Sequence, residues 1–212
     1  MADSPLPQRG THSDAIVSSV NWLFDPYWPG DRLIVRLDRG SVTVTDSAGQ
    51  PAGPQIAQAG PLVAAAIDAQ EAVVDGIWTG QPFIGIGIGD GDGNGNGDVG
   101  RRAFVAIDLL EIDGTPLYDL PLQERRRLLV SAVTEDVRVR VSPAVKWPIE
   151  SWLATWRANG FERYVAKHVN SRYRPGEQVE DWLVIDIAHE RPLALVRRIF
   201  SQRRRKLRRI SD

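Results

Sequence analysis

Lysine, cysteine and histidine are the common nucleophiles and metal ligands, and this chain of 212 residues uses them sparingly. It holds no cysteine, three histidines (His12, His168, His189) and three lysines (Lys146, Lys167, Lys206). The lack of cysteine excludes disulfides, thiolate metal sites and cysteine nucleophiles together. So few histidines do not suit an imidazole metal site, so a metal here would need oxygen ligands. Chemistry through a lysine amine is closed to the first 145 residues, which contain none.

The net charge of −1 hides a division. Arg191 to Asp212 carries nine basic residues and one acidic one, a local +8 that leaves −9 on residues 1–190. Arg197, Arg198, Arg203, Arg204, Arg205, Lys206, Arg208 and Arg209 could form a phosphate-binding surface whose affinity falls as salt rises. The same residues also suit a solvated helix end, or a tail folded back on the acidic body.

The segment Gly85 to Gly100, alternating glycine with Ile, Asp and Asn, admits three readings. A dinucleotide fingerprint must open a helix, and none follows. As a calcium loop, Asp90, Asp92, Asn94 and Gly95 match the first half of an EF-hand, but Arg101 stands where the bidentate glutamate belongs. The third reading is a surface loop between strands, since alternate glycines raise the entropic cost of order.

The elements that must position any site are short. Residues 1–20, polar and carrying Pro5, Pro7 and Gly10, read as a loose arm, with a domain over 21–190 and a basic helix or tail over 191–212. Leu33–Leu37, a turn at Gly40 and Val42–Thr45 read as a hairpin, and a helix follows Pro61 up to Ile67. Short strands fit Ala72–Val74, Gln81–Ile86 and Ala103–Asp108. Pro121–Val133 is a helix with Asp119 placed to cap it and Leu122, Leu129 and Val133 on one face. Val137–Val141 alternates as a half-buried strand.

A further helix begins at Pro148, sets Ile149, Trp152, Leu153 and Trp156 on one face and stops at Gly160, so both tryptophans read as core. Strands Tyr164–Lys167 and Trp182–Ile187 flank a turn over Arg172–Gly176. Short strands with interspersed helices and no regular βαβ alternation predict an α+β fold. No run reaches the roughly 18–20 apolar residues of a membrane helix, and the start lacks a basic region followed by an apolar one, so the chain reads as cytoplasmic with no membrane partner.

Two stretches carry a family resemblance. Phe104–Gly114 (Phe-Val-Ala-Ile-Asp-Leu-Leu-Glu-Ile-Asp-Gly), followed by Leu117, Leu120-Pro121-Leu122 and Glu124-Arg125-Arg126, forms one set. Phe161–Lys167 (Phe-Glu-Arg-Tyr-Val-Ala-Lys), then Ser171, Tyr173-Arg174-Pro175-Gly176 and Asp181-Trp182, forms the other. In this order they resemble the third and fourth motifs, and the approach to the fifth, of the adenylation (nucleotidyltransferase) domain of ATP-dependent DNA ligases of the bacterial repair type. The resemblance runs from Trp22 to Ile185 and implies two antiparallel sheets with flanking helices. It also implies an activity in which a lysine of a K-x-D-G motif attacks the α-phosphate of ATP and hands AMP to a DNA 5′-phosphate.

The chain departs from that pattern where the chemistry is done. The segment resembling E-P-K-x-D-G-x-R reads Asp25-Pro26-Tyr27-Trp28-Pro29-Gly30-Asp31-Arg32, with Tyr27 in place of the lysine. A phenol does not replace an activated amine in phosphoramidate chemistry. Ile77 stands for an acidic residue that would help organise a divalent metal, and Ile107 for the aromatic that would stack on adenine. In the fifth motif Val184 and Asp186 replace two cations, and Asp186 would repel a triphosphate. Arg32, Glu162 and Lys167 remain as residual nucleotide-binding candidates, with Arg163 in place of a glycine.

Bland readings stand beside these: a surface ion pair between Lys167 and Glu162 worth under about 1 kcal/mol, a turn-orienting Asp108 and a core Trp182. After Asp186 the sequence leaves room for the basic helix but not for the family's C-terminal oligonucleotide-binding barrel. The sequence therefore predicts a catalytically inactive, ligase-like module that binds DNA or a DNA-repair protein and requires no cofactor. The alternative is a nucleotidyltransferase component that keeps ATP and Mg²⁺ binding, with residual or partner-dependent activity.

Overall fold

A computed structural model describes residues 4–81 and 102–187. Along the chain come β1 (Arg9–His12), β2 (Trp22–Pro26), β3 (Asp31–Asp38), β4 (Ser41–Asp46), α1 (Pro54–Ala57), α2 (Ala59–Ala66) and β5 (Glu71–Thr79). They are followed by β6 (Ala103–Ile112), β7 (Thr115–Pro116), α3 (Leu122–Ala132), β8 (Val139–Val141) and β9 (Val145–Lys146). Last come α4 (Glu150–Ala158), β10 (Arg163–His168) and β11 (Gln178–Asp186). No helix among the described residues is long and apolar enough to cross a membrane.

Two sheets result, one ordered β4-β3-β5-β6-β7 with β8 beside β6, the other ordered β1-β11-β10-β2-β9. Pairing is antiparallel except for β1 with β11 and β6 with β8. This is the expected α+β arrangement of two sheets with flanking helices. The larger sheet is covered on both faces, which is why β6 carries an uninterrupted buried run from Ala103 to Leu110 instead of an alternating one. One face packs Leu33, Val35, Val74 and Phe104 against Val63 of α2 and Leu129 of α3. The other meets the smaller sheet, where Val105 and Ile107 join Phe24, Tyr164 and Ala166, together with Trp156 of α4.

The predicted hairpin forms as β3 and β4, and α4 ends before Gly160, whose φ of +83° gives the left-handed C-terminal turn. Four expectations need correction. The arm is not loose over residues 9–12, which pair with β11, and the preceding Gln8 is fully buried. Asp119 does not cap α3. The first-turn donors Leu122 N–H and Gln123 N–H go to the carbonyls of Ser171 and Val169, while Asp119 sits exposed beside Arg172. Trp156 is core, but Trp152 is 38% exposed, because α4 buries only a narrow stripe. The strand expected at Ala72–Val74 runs on to Thr79, with bulges at Val73/Val74 and Asp75/Gly76. The Gly-rich loop, most of the strand expected at Gln81–Ile86, His189 and the basic tail lie outside the described residues.

Candidate functional site: a cleft between the sheets

The chain leaves β2 at Pro26 and must turn sharply to enter β3. Gly30 makes that turn with φ +141°, and a Cβ there would lie 2.4 Å from the Trp78 carbonyl oxygen, so only glycine fits. The connection forms the rim of a cleft of about 350 Å³. Tyr27, Arg32, Ile77, Ile107, Lys167 and Val184 all line it, as do Asp25, Trp28, Arg163 and Trp182. The structure thus brings together most of the positions that the sequence marks as chemical. Glu162 and Asp186 are not among the lining residues. Glu162 is exposed and uses its backbone carbonyl to accept from Ile187 N–H, and the exposed Asp186 carboxylate lies 3.6 Å from His12 Nε2.

The cations that line the cleft are largely committed elsewhere. Arg32 donates from Nε and Nη2 to the two oxygens of buried Asp75 at 2.5 and 2.6 Å, and Nη2 also donates to the Gln8 carbonyl. Tyr173 Oη donates to Asp75 Oδ2 at 2.7 Å and accepts from Gln8 N–H at 3.0 Å. Burial opposes the Arg32 charge, but the Asp75 carboxylate outweighs it and raises the Arg32 pKa above the ordinary arginine value. Burial, reinforced by the same carboxylate, raises the Tyr173 phenol well above its usual value.

Lys167 does not pair with Glu162. Its Nζ reaches across the sheet to Asp25 Oδ2 at 2.5 Å, with both side chains buried, and lies 4.6 Å from the centre of the Trp182 ring. Register explains the partner, since Lys167 faces Leu23 across β10 and β2, placing Asp25 two residues along on the same face. The other Asp25 oxygen, Oδ1, is buried without a hydrogen bond. Trp182 is buried as expected, and its indole N–H donates to Ser171 Oγ while its side chain walls the cleft. Arg163 stacks on Tyr27, its guanidinium carbon 4.1 Å from the ring centre. Trp28 donates its indole N–H to Ser142 Oγ at 2.9 Å.

Asp108 does more than orient a turn. It holds Arg125 of α3 in a two-pronged pair at 2.9 and 2.8 Å, with neither side chain exposed, and it accepts from Leu109 N–H. Among the described residues no group of three or more His, Asp or Glu converges as a metal site. The carboxylates nearest the cleft are tied to Lys167 and Arg32, so this donor set does not fit a divalent cation. Sequence reasoning missed Asp25, Asp75, Tyr173 and Gln8 as partners. Asp75 carried one signal, its place beside Gly76, where a Cβ would collide with the Phe104 ring at 2.2 Å.

Residues 98–185 match the family model described as the ATP dependent DNA ligase domain. The multifunctional non-homologous end joining DNA repair protein LigD of Mycobacterium tuberculosis is 29% identical over 182 residues, covering 85% of this chain and 24% of that protein. A DNA ligase of Methanothrix thermoacetophila is 28% identical over 179 residues, covering 79% of this chain and 32% of that protein. The crystal structure of the M. tuberculosis LigD ligase domain superposes with a TM-score of 0.65 at 25% identity, covering 85% of this chain and 58% of that one. A mycobacterial DNA ligase D complexed with ATP and MES gives 0.64 at 26% identity, covering 86% and 60%. The chain therefore spans about a quarter of the LigD proteins and somewhat over half of the solved ligase domain. By sequence and by fold, it is a homologue of the LigD ligase domain and of other ATP-dependent DNA ligases.

Proposed function

We propose that this chain is a catalytically inactive adenylation domain that serves as a DNA-binding module in DNA repair. The observation that carries the reading is Tyr27, which occupies the nucleophile's place in the motif and lines the cleft between the sheets. Adenylyl transfer through a lysine needs an amine that attacks phosphorus and leaves a phosphoramidate, and the lysine lining this cleft is buried against Asp25. Apolar Ile77 and Val184 give a triphosphate nothing to pair with.

The link to DNA repair is supported by the LigD relatives, whose names describe an end-joining DNA repair protein, and by the basic residues from Arg197 to Arg209. Intact-mass spectrometry after incubation with ATP and Mg²⁺ or Mn²⁺ tests the first half of the proposal. No added AMP is expected beside an active ligase control, and an adduct would overturn it. DNA titration across a salt series tests the second half. Affinity should fall steeply with salt and should weaken when Arg203, Arg204 and Arg205 are changed to Glu. Salt-independent or undetectable binding removes the DNA-binding role.

A further inference from the structure

We infer that residues 192–200 dock along the exposed flank of α4, covering Trp152, so that the basic run after them starts from a fixed place on the domain. In α4 (Glu150–Ala158) Trp156 alone is buried, while Trp152 is 38% exposed and Leu153 is half-buried. Between Glu150 and Arg157 the helix carries six uncharged residues in succession. A helix that met only water on its outer side would show charge there. The Trp152 ring extends the buried aromatic stack outward, its centre 6.3 Å from that of Trp156, which lies 6.3 Å from Tyr164. Half-buried Trp147 packs against the same cluster.

The occupant follows from where the chain goes next. Ile187 is buried in the cluster that holds Trp156 and Phe161, and its N–H bonds the Glu162 carbonyl. Phe161 N–H in turn bonds the Trp156 carbonyl, so the chain passes Ile187 beside the C-terminal end of α4. Residues 192–200 read Pro-Leu-Ala-Leu-Val-Arg-Arg-Ile-Phe, with Leu193, Val196 and Phe200 at i, i+3 and i+7 and a proline suited to a first helical position. That spacing gathers the three apolar residues on one side and sets Arg198 on the other.

Length and charge fit the same place. The four residues 188–191 can span up to about 13 Å, enough to reach the end of α4. At 1.5 Å per residue, Leu193 to Phe200 covers roughly 10 Å, and Ala158 back to Trp152 roughly 9 Å. A segment running back along α4 therefore brings Phe200 to Trp152. Arg203 and Arg204 then follow near Glu150, which is exposed at the start of the helix.

Hydrogen exchange of the full chain, read by mass spectrometry, tests the inference. Amides of residues 193–200 should exchange about tenfold more slowly than in Trp152→Glu, with the amides of β10 and β11 unchanged between the two. Phe200→Asp should release the same amides without altering α4. Because the chain holds no cysteine, Thr155→Cys combined with Val196→Cys gives a second arm. Oxidation should close a disulfide within one chain about tenfold faster than for Thr155→Cys combined with Ser211→Cys.

Exchange of 193–200 at the rate of an unstructured peptide in the unaltered chain, or protection that survives both substitutions, overturns the inference. Protection that fades on dilution, or disulfides formed only between chains, would assign the covering to a second copy and overturns it as well. None of these readouts involves DNA or ATP, so their outcome is independent of the proposed function.

Discussion

Two regions of the same interior treat charge in opposite ways. Between α3 and the larger sheet, Asp108 and Arg125 form a fully buried pair, and Arg125 Nη1 donates further to the carbonyls of Leu120 and Ser171. Around the cleft, the positions where the family resemblance calls for a nucleophile, a metal-side acid and phosphate-binding cations hold Tyr27, Ile77 and Val184. The buried pairs tie elements together across the chain. The cleft positions line a cavity, and the fold closes around them with no charge at Tyr27, Ile77 or Val184. Arg32 and Lys167 belong to both regions, since each lines the cleft while its charge is matched to a buried carboxylate, so the division falls at Tyr27, Ile77 and Val184.

The largest test of that division is Arg125→Met. It leaves Asp108 charged and without its cation in a site without solvent, with only Leu109 N–H still donating to it, and should destabilise the protein by about 3–5 kcal/mol in urea unfolding. Lys167→Met abandons buried Asp25 in the same way and should cost about 3 kcal/mol. Asp25 already leaves one oxygen without a hydrogen bond, so less is lost there than at Asp108. Should both substitutions prove nearly neutral, the pairs do not hold the fold and the division between the two sets fails.

The next effect is read through pH. The Tyr173 phenol is raised by burial and by Asp75, so the folded protein keeps its proton where the unfolded chain has lost it. The stability this contributes is present below the ordinary tyrosine pKa of 10.0 and is lost as pH rises toward the folded value. The unfolding free energy should fall by about 1.4 kcal/mol per pH unit above pH ~10 from this group alone. Burial raises Tyr164 and Tyr118 in the same direction, so the measured slope should be steeper still. Tyr173→Phe removes a hydrogen bond to a buried carboxylate, worth about 1.5–3 kcal/mol at neutral pH, and makes the alkaline slope shallower. An unchanged slope would show that the phenol titrates alike in both states.

What could be read in the sequence follows the range of the interactions involved. The β3–β4 hairpin is local and its alternation is plain, so it forms as expected. The α4 stop is equally local, set by one glycine with positive φ. The partner of Lys167 was not legible, because Asp25 lies 142 residues away and meets it only through the register of β2 against β10. Glu162, five residues away in sequence and the natural guess, is exposed and does not line the cleft. Asp108 looked like a turn residue for the same reason, its partner Arg125 being 17 residues downstream on a helix. The loose N-terminal arm was misjudged because its prolines signalled a break. Its place in the sheet depends on β11 and on the Gln8 N–H bonded to Tyr173, both more than 160 residues distant.

The smallest effect belongs to the cleft itself and is the sharpest contrast with Arg125. Tyr27 is half-buried, its backbone N–H bonds the Arg163 carbonyl whatever the side chain, and its ring is covered by an exposed guanidinium. Tyr27→Leu keeps apolar bulk and discards only the cation–π contact, which at an exposed site is worth about 0.5–1 kcal/mol. Stability should drop by no more than that, several times less than for Arg125→Met under the same conditions. A loss of comparable size at both positions would mean that the tyrosine is part of the framework of the fold. A small loss would mean that the fold does not depend on the side chain at this position, in contrast to Arg125.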